Sequence, residues 1–234
     1  RIREGKPNAK LTTGDIELVA KEIEVVNRTA KLPILPDDHD ADKIGEEHRL
    51  KYRYIDLRRP KMQEILKLRH KITQFTRNFF ADNDFLEIET PLLITPTPEG
   101  ARDFIVPSRH QSGQWYALPQ SPQIFKQILM VAGCDKYLQI CKCLRDEDPR
   151  ADRQAEFTQI DLEMSFVDQD DILEIMSEFA SRLYKEVGGI DLGELPQMSW
   201  KDAMDNYGSD RPDIRFDLQL RDVTELASKT EFKV

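Results

Sequence analysis

Two stretches of alternating character, KYLQICKCLR (136–145) and EFTQIDLEMSF (156–166), flank ten residues, DEDPRADRQA, most of them charged. Side chains of an extended strand point to opposite faces in turn. Each stretch therefore has two unlike faces, and the short loop returns one beside the other as an antiparallel hairpin. In 156–166 the residues Thr158, Ile160, Leu162 and Met164 share the side suited to a core. Phe157, Gln159, Asp161 and Glu163 share the other. In the first stretch Leu138, Ile140 and Leu144 oppose Gln139, Cys141, Cys143 and Arg145. Such a pair buries one apolar face and leaves a mixed polar face that is either solvated or turned to a ligand.

The helices are present in the pattern. Residues 61–81 repeat apolar side chains at spacings of three and four (Ile65, Leu68, Ile72, Phe75, Phe79, Phe80), as do 168–187 (Ile172, Ile175, Phe179, Leu183, Val187). SPQIFKQILMVAG (121–133) predicts a third helix, with Ser121 as N-cap, Pro122 in the first turn and a stop near Gly133. Short helices are expected near 200–207 and 220–228. FLEIETPLL (85–93) predicts a strand that Pro91 ends, at an edge or an interface. WYALP (115–119) predicts another. TPTPEGARDF (95–104) has the chemistry of a mobile loop. GDIELVAKEIEVV (14–26) predicts strands from the end of a small β-domain, and 31–48, rich in proline and acid, a linker. Next, 49–61 holds six basic residues and one acid. It is either a solvated connector or a contact for a phosphate backbone. The order of elements favours an α+β domain on an antiparallel sheet.

The net charge of −9 argues against a non-specific DNA coat but leaves room for a local basic patch. Cys134, Cys141 and Cys143 lack a second Cys or His pair at zinc spacing, so buried, reduced thiols and no metal are expected. The apolar runs fall short of a membrane span, and a cytoplasmic protein is expected. No glycine-rich phosphate loop is present.

The polar face of the hairpin is the chemical signal. A wet sheet face favours Lys, Glu and Thr, and is the bland alternative. Here Phe157, Gln159, Asp161, the cysteines and Arg145 suit a small polar molecule with a flat ring. Arg145 offers a bidentate grip on phosphate or carboxylate, and Phe157 a plane for a base. Gln123 and Lys126, three apart on one helix, can reach one ligand together.

These residues bring a family into view. LRDEDPRADRQAEFTQIDLE resembles motif 2 of the bacterial-type aspartyl-tRNA synthetases of class II. FLEIETPLL is similar to their motif 1, TPEGARDF to their flexible active-site loop and YALPQSPQIFKQ to their amino-acid-binding helix. The four blocks occur in the family's order, and the resemblance runs from about Thr13 to the end of the chain. It implies a six-stranded antiparallel catalytic sheet flanked by helices, and formation of aspartyl-adenylate from aspartate and ATP before transfer to tRNA. Carried over, Arg145 holds the α-phosphate, Glu147 contacts the adenine side and Phe157 stacks on adenine. Gln159 and Glu163 support the pocket or the nucleotide. Ser121, Gln123, Lys126 and Asp161 form the aspartate pocket, Lys126 facing the substrate side chain and Asp161 its ammonium. Glu99 closes over the amino acid, and Arg150 and Arg153 approach the tRNA acceptor end. The Pro91 strand lies at a homodimer interface.

The resemblance also divides the chain. Residues 1–30 become the end of an anticodon-binding OB-type β-barrel, 31–60 a hinge, and 61–234 a catalytic core without motif 3 and the inserted domain. Mg²⁺ is expected, with its ligands beyond this stretch. The 234 residues alone are thus expected to be inactive, within a longer active ligase. Leu144, Pro149 and Ala155 stand where the family usually has Phe, Leu and Pro, so altered loop geometry is expected there. Rival readings are an asparaginyl- or lysyl-tRNA synthetase, an adenylate-forming amide ligase without tRNA, and a non-catalytic relative.

Overall fold

The computed structural model describes residues 1–37, 43–148 and 150–230. The chain divides into two compact units, residues 1–67 and 68–234.

In the first unit the expected strands of 14–26 do not form. Among the described residues the pairing there is a single bridge, Ile2 to Ile16. Alternation makes a segment able to be a strand, but a strand exists only where a neighbour takes its N–H and C=O groups. Leu18, Ile23 and Val26 are accordingly exposed. The basic run 49–61 folds into two short helices, α1 (Glu46–Lys51) and α2 (Arg53–Asp56), and enters α3 (Pro60–Asp82). Its one acid, Asp56, has no exposed surface. Arg49 Nε donates to Asp56 Oδ1 (3.1 Å), Arg59 Nη1 to the same oxygen (2.8 Å) and Arg53 Nη1 to Oδ2 (2.6 Å). Three arginines are thus engaged with one carboxylate, which neither expectation for this run foresaw. An ion cluster this dry is viable only because nearly every carboxylate lone pair is taken.

The second unit is α+β, as expected. Its sheet holds β1 (Leu86–Glu87), β4 (Lys136–Leu144) and β5 (Glu156–Met164) in the order β1-β4-β5. β4 and β5 pair antiparallel from Lys136–Met164 to Leu144–Glu156. The β4–β5 pair is antiparallel, as expected, while β1 runs parallel to β4 at the sheet edge; among the described residues this sheet holds three strands. The run 85–93 pairs over two residues only. Phe85 turns into the core while Leu86 stays exposed, so its alternation does not sort buried from exposed. A separate two-stranded ribbon joins β2 (Ile105–Pro107) to β3 (Trp115–Ala117).

Register confirms the two faces of the hairpin. Leu138–Leu162 and Ile140–Ile160 pair on one side, and Gln139–Asp161, Cys141–Gln159 and Cys143–Phe157 on the other. On the apolar side α3 and α5 (Gln169–Gly188) cover the sheet. Phe79, Phe80, Phe85, Leu138 and Phe179 form the core, with Phe75, Leu162, Met164, Ile175 and Leu183 packed around it. The ring of Phe179 lies 5.0 Å from Phe80 and 5.4 Å from Phe79, tilted, a favourable aromatic geometry. The core fades toward the hairpin loop, where Ile160 is 39% exposed and Lys142 Nζ reaches Glu156 Oε1 at 2.7 Å. α4 (Gln123–Val131) packs on the opposite side, against β4 and β5. α6 (Trp200–Tyr207) matches its expected span, and α7 (Thr224–Ala227) is shorter than 220–228 suggested.

Candidate active site

The polar face of β4–β5 is the floor of a site, and α4 is one wall. α4 buries Lys126, although a helical lysine ordinarily lies in solvent. It is buried because Asp161 meets it. Lys126 Nζ donates to Asp161 Oδ1 at 2.8 Å and lies 3.3 Å from Glu163 Oε2 and from the Leu162 carbonyl. Burial works to lower the Lys126 pKa, but the hydrogen bond and charge of Asp161, followed by Glu163, outweigh it and hold the ammonium above its ordinary value. Gln123 sits one turn earlier on α4, half-buried.

Ser121 does not cap α4. Pro122 occupies the cap position, with no side-chain cap bond. The Ser121 hydroxyl donates instead to Glu99 Oε2 at 3.2 Å, and Glu99 Oε1 lies 3.5 Å from the Thr97 hydroxyl. The pattern Ser-Pro at a helix start reads as a cap from local chemistry alone. The competing carboxylate comes from 22 residues away.

The loop 95–104 was expected to be mobile. It is tied at several points. Gln120, almost fully buried, accepts from Ala101 N at 3.0 Å and donates to Ala101 O at 2.8 Å and to Asp103 Oδ1. Arg102 and Asp146 form a bridge, with Asp146 N donating to Arg102 O at 3.0 Å and Arg102 Nε to Asp146 O at 3.3 Å. The glutamine's two-sided amide lets it replace a strand neighbour for the loop backbone.

At the other end of the face, Arg145 follows β4 and its N–H donates to Ala155 O at 2.8 Å, closing the hairpin base. Its guanidinium lies 5.2 Å from the centroid of Phe157, a cation–π distance. Beside them opens a cavity of about 340 Å³ lined by Arg145, Glu147, Arg153 and Phe157 among others. Arg153 and Glu147 are half-exposed and 3.9 Å apart. Arg150, bridged to Arg153, lines a neighbouring cleft with Gly100 and Arg102. Pro149 lies outside the described residues. Leu144 N donates to Pro119 O at 2.9 Å, tying the hairpin to the segment after β3.

Among the described residues, two buried side-chain polar atoms lack a hydrogen-bond partner: Arg145 Nε and Asp161 Oδ2. An unpaired donor on a cation and an unpaired acceptor on an anion cost free energy unless another group meets them. Together they invite an anionic group at one end of the face and a cationic one at the other. No group of three or more His, Cys, Asp or Glu suited to a metal ion occurs among the described residues.

A sequence model of the tRNA synthetases class II (D, K and N) matches residues 45–232. The chain belongs to that family. The similarity extends beyond the matched residues. An aspartate–tRNA ligase of Clostridium acetobutylicum is 50% identical over all of this chain, and an aspartate–tRNA(Asp/Asn) ligase of Natranaerobius thermophilus 53%. The chain spans about two fifths of those relatives, 39% and 40% of their length. Among solved structures, an asparaginyl-tRNA synthetase of Pyrococcus horikoshii in complex with asparaginyl-adenylate superposes with TM-score 0.67 at 24% identity. It covers 76% of this chain and 40% of that one. An aspartyl-tRNA synthetase from Leishmania major gives 0.68 at 24%, covering 80% and 37%. These two likenesses speak for the fold.

Within this synthetase fold the structure adds residues that sequence reading passed over. Tyr137 is fully buried, and its hydroxyl donates to Gln139 Oε1 at 2.6 Å. The Thr90 hydroxyl donates to the same oxygen at 3.0 Å. Burial, and then the charge of Asp161, push the Tyr137 phenol well above its ordinary pKa. The signal was the parity of 137 with 139, but a tyrosine on a strand more often reads as core than as a strut beneath a site.

Proposed function

We propose that this chain supplies the amino-acid and nucleotide face of an aspartate–tRNA ligase. Aspartate and ATP form aspartyl-adenylate and pyrophosphate, and the aspartyl group then passes to the 3′-end of tRNA. The observation that carries this reading is the pair of unmet groups on one sheet face, Arg145 Nε and Asp161 Oδ2, with buried Lys126 between the strands and α4. The identity to aspartate–tRNA ligases over the full chain supports the choice of amino acid.

In this reading the substrate ammonium takes the open oxygen of Asp161, and the substrate side-chain carboxylate takes Lys126. Lys126 is already held by Asp161 and Glu163, so substrate joins or displaces a carboxylate that stands in for it. Gln123 and Ser121 complete the pocket, and Glu99 closes it from above. Arg145 grips the α-phosphate, Phe157 stacks on adenine, Glu147 meets the adenine edge, and Gln159 supports the floor. The in-line attack of carboxylate on phosphorus needs placement and a cation against developing charge, which Arg145 provides. Mg²⁺ would neutralise phosphate charge when bound, and the described residues bring together no ligand set for it. Arg150 and Arg153 meet the acceptor end of tRNA. Leu92 and Leu93, half-exposed beside Pro91, face a second copy. Residues 1–30 are the end of an anticodon-binding domain, 31–60 a hinge and 61–234 the catalytic core. No helix among the described residues is long and apolar enough to cross a membrane, and the proposed location is the cytoplasm.

Aspartate-dependent ATP–pyrophosphate exchange tests the reading. The 234-residue chain alone is expected to exchange feebly, and the longer protein that carries it robustly. In the longer protein Lys126→Met and Arg145→Ala should each lower exchange at least about a hundredfold, the scale of one lost transition-state donor. Exchange with asparagine or lysine exceeding that with aspartate sinks the assignment.

A further inference from the structure

Two side chains on the site floor have no role in this chemistry. Cys141 and Cys143 stand two apart on β4, on the face that carries Gln139 and Asp161, and their sulfurs are 3.7 Å apart. Cys143 is fully buried and Cys141 is 5% exposed. Cys143 Sγ also lies 3.1 Å from Gln159 Oε1. We propose that Cys141 and Cys143 form a two-thiol capture site for a trivalent arsenical, on the floor of the proposed activation site.

Geometry selects this ligand class. Thiolates choose soft partners. Structural zinc asks for four nitrogen or sulfur ligands, and no group of three or more metal-ligating side chains occurs among the described residues. A direct S–S bond needs the sulfurs to close to about 2 Å, while both stay on one extended strand. An atom that bonds both sulfurs at a bent angle needs far less movement. Ions that prefer two sulfurs on opposite sides, such as Cu(I), would need the pair spread apart. A trivalent arsenic bearing one organic group is satisfied by two sulfurs on one side.

The step balances without an oxidant. Phenylarsine oxide and two thiols give a cyclic dithioarsenite and water. Two As–S bonds form, the As–O bond breaks, the oxygen leaves with both thiol protons, and arsenic stays trivalent. Cys141 is the first to react, being the one with exposed surface. The hydrogen-bonding contact with Cys143 holds the Cys141 thiol below the ordinary cysteine range despite burial, while the Cys143 thiol is pushed up by Cys141 and by burial. Opening of the strand end on the timescale of local fluctuation then admits the second bond.

The test is intact-mass measurement on the folded chain treated with phenylarsine oxide, then washed with excess monothiol. One arsenical per chain should survive the wash and leave with a dithiol such as dithiothreitol. Cys134→Ser should keep the adduct, and Cys141→Ser and Cys143→Ser should lose it. Cys141→Val, which preserves apolar packing, replaces the serine variant where circular dichroism shows that variant misfolded. An adduct that persists without Cys141, or one that forms only on urea-unfolded chain, overturns the proposal. In the longer protein, protection by aspartate with ATP rests on the function proposed above, whereas adduct formation does not. Capture without protection would therefore count against the location on that site's floor and leave the dithiol in place.

Discussion

Lys126 shows how a residue's place on an element can be read from sequence while its partner within the chain cannot. Its position after an apolar Phe125 suggested a ligand contact, yet its partner is Asp161, 35 residues away. Register decides this: Asp161 sits opposite Gln139 on the face that α4 covers. Breaking a dry ion pair by removing one member leaves a lone buried charge, at about 3–5 kcal/mol. Lys126→Met should therefore lower the urea midpoint of the 234-residue chain strongly, and adding Asp161→Asn should restore a good part of it. Equal or greater loss in the double variant would mean that the two residues do not act as a pair. Arg145 and Phe157 were legible in the alternation. The Thr90–Gln139–Tyr137 network was not, since hydrogen bonds between side chains of separate segments leave no periodic trace.

Elements with long apolar periods were read from sequence almost to their ends. α3, α5, β4 and β5 each bury one face against the same core, so pattern and packing agree. α5 is also locally specified at its start. Asp168 accepts from the backbone of Asp170 and Asp171, and the Asp171 side chain accepts from Asp168 N at 2.9 Å. Asp168→Ala should cost about 1 kcal/mol in urea unfolding, and Asp168→Ser should recover most of it. Short elements failed for want of such agreement. β1 is two residues held by a parallel neighbour 51 residues later, Leu86 opposite Tyr137, and no local rule announces that. In 14–26 the pattern is present, but among the described residues its pairing is limited to the bridge from Ile16 to Ile2.

For the whole molecule, a response to acid follows from one buried carboxylate, Asp56, in the unit of residues 1–67. Burial raises the Asp56 pKa, but hydrogen bonds from Arg49 and Arg59 and their charges outweigh it and hold the carboxyl below its ordinary value. A carboxylate lowered on folding contributes its full stability above its unfolded pKa, about 4. That contribution is lost as pH falls through the folded value. Residues 1–67 should therefore weaken below about pH 4, as followed by amide hydrogen exchange within α1 and α2. Asp56→Asn should remove that acid dependence and cost about 2 kcal/mol at neutral pH. A preserved acid limb in this variant would place the sensitivity in another carboxylate. The basic character of 49–61 was legible in sequence. That three of its arginines are spent on one acid was not, because charge counts do not reveal which charges meet.

The bridge between Arg102 and Asp146 has one further consequence. It splices the strip that carries Glu99 to the strip that carries Glu147. On the proposed assignment these are the roofs of two different ligands. A conformational cost met by one ligand is then already met for the other. By linkage, the factor by which aspartate tightens ATP must equal the factor by which ATP tightens aspartate. On that assignment the two affinities should be coupled, so a dissociation constant measured with one ligand absent should differ from that measured with the other bound.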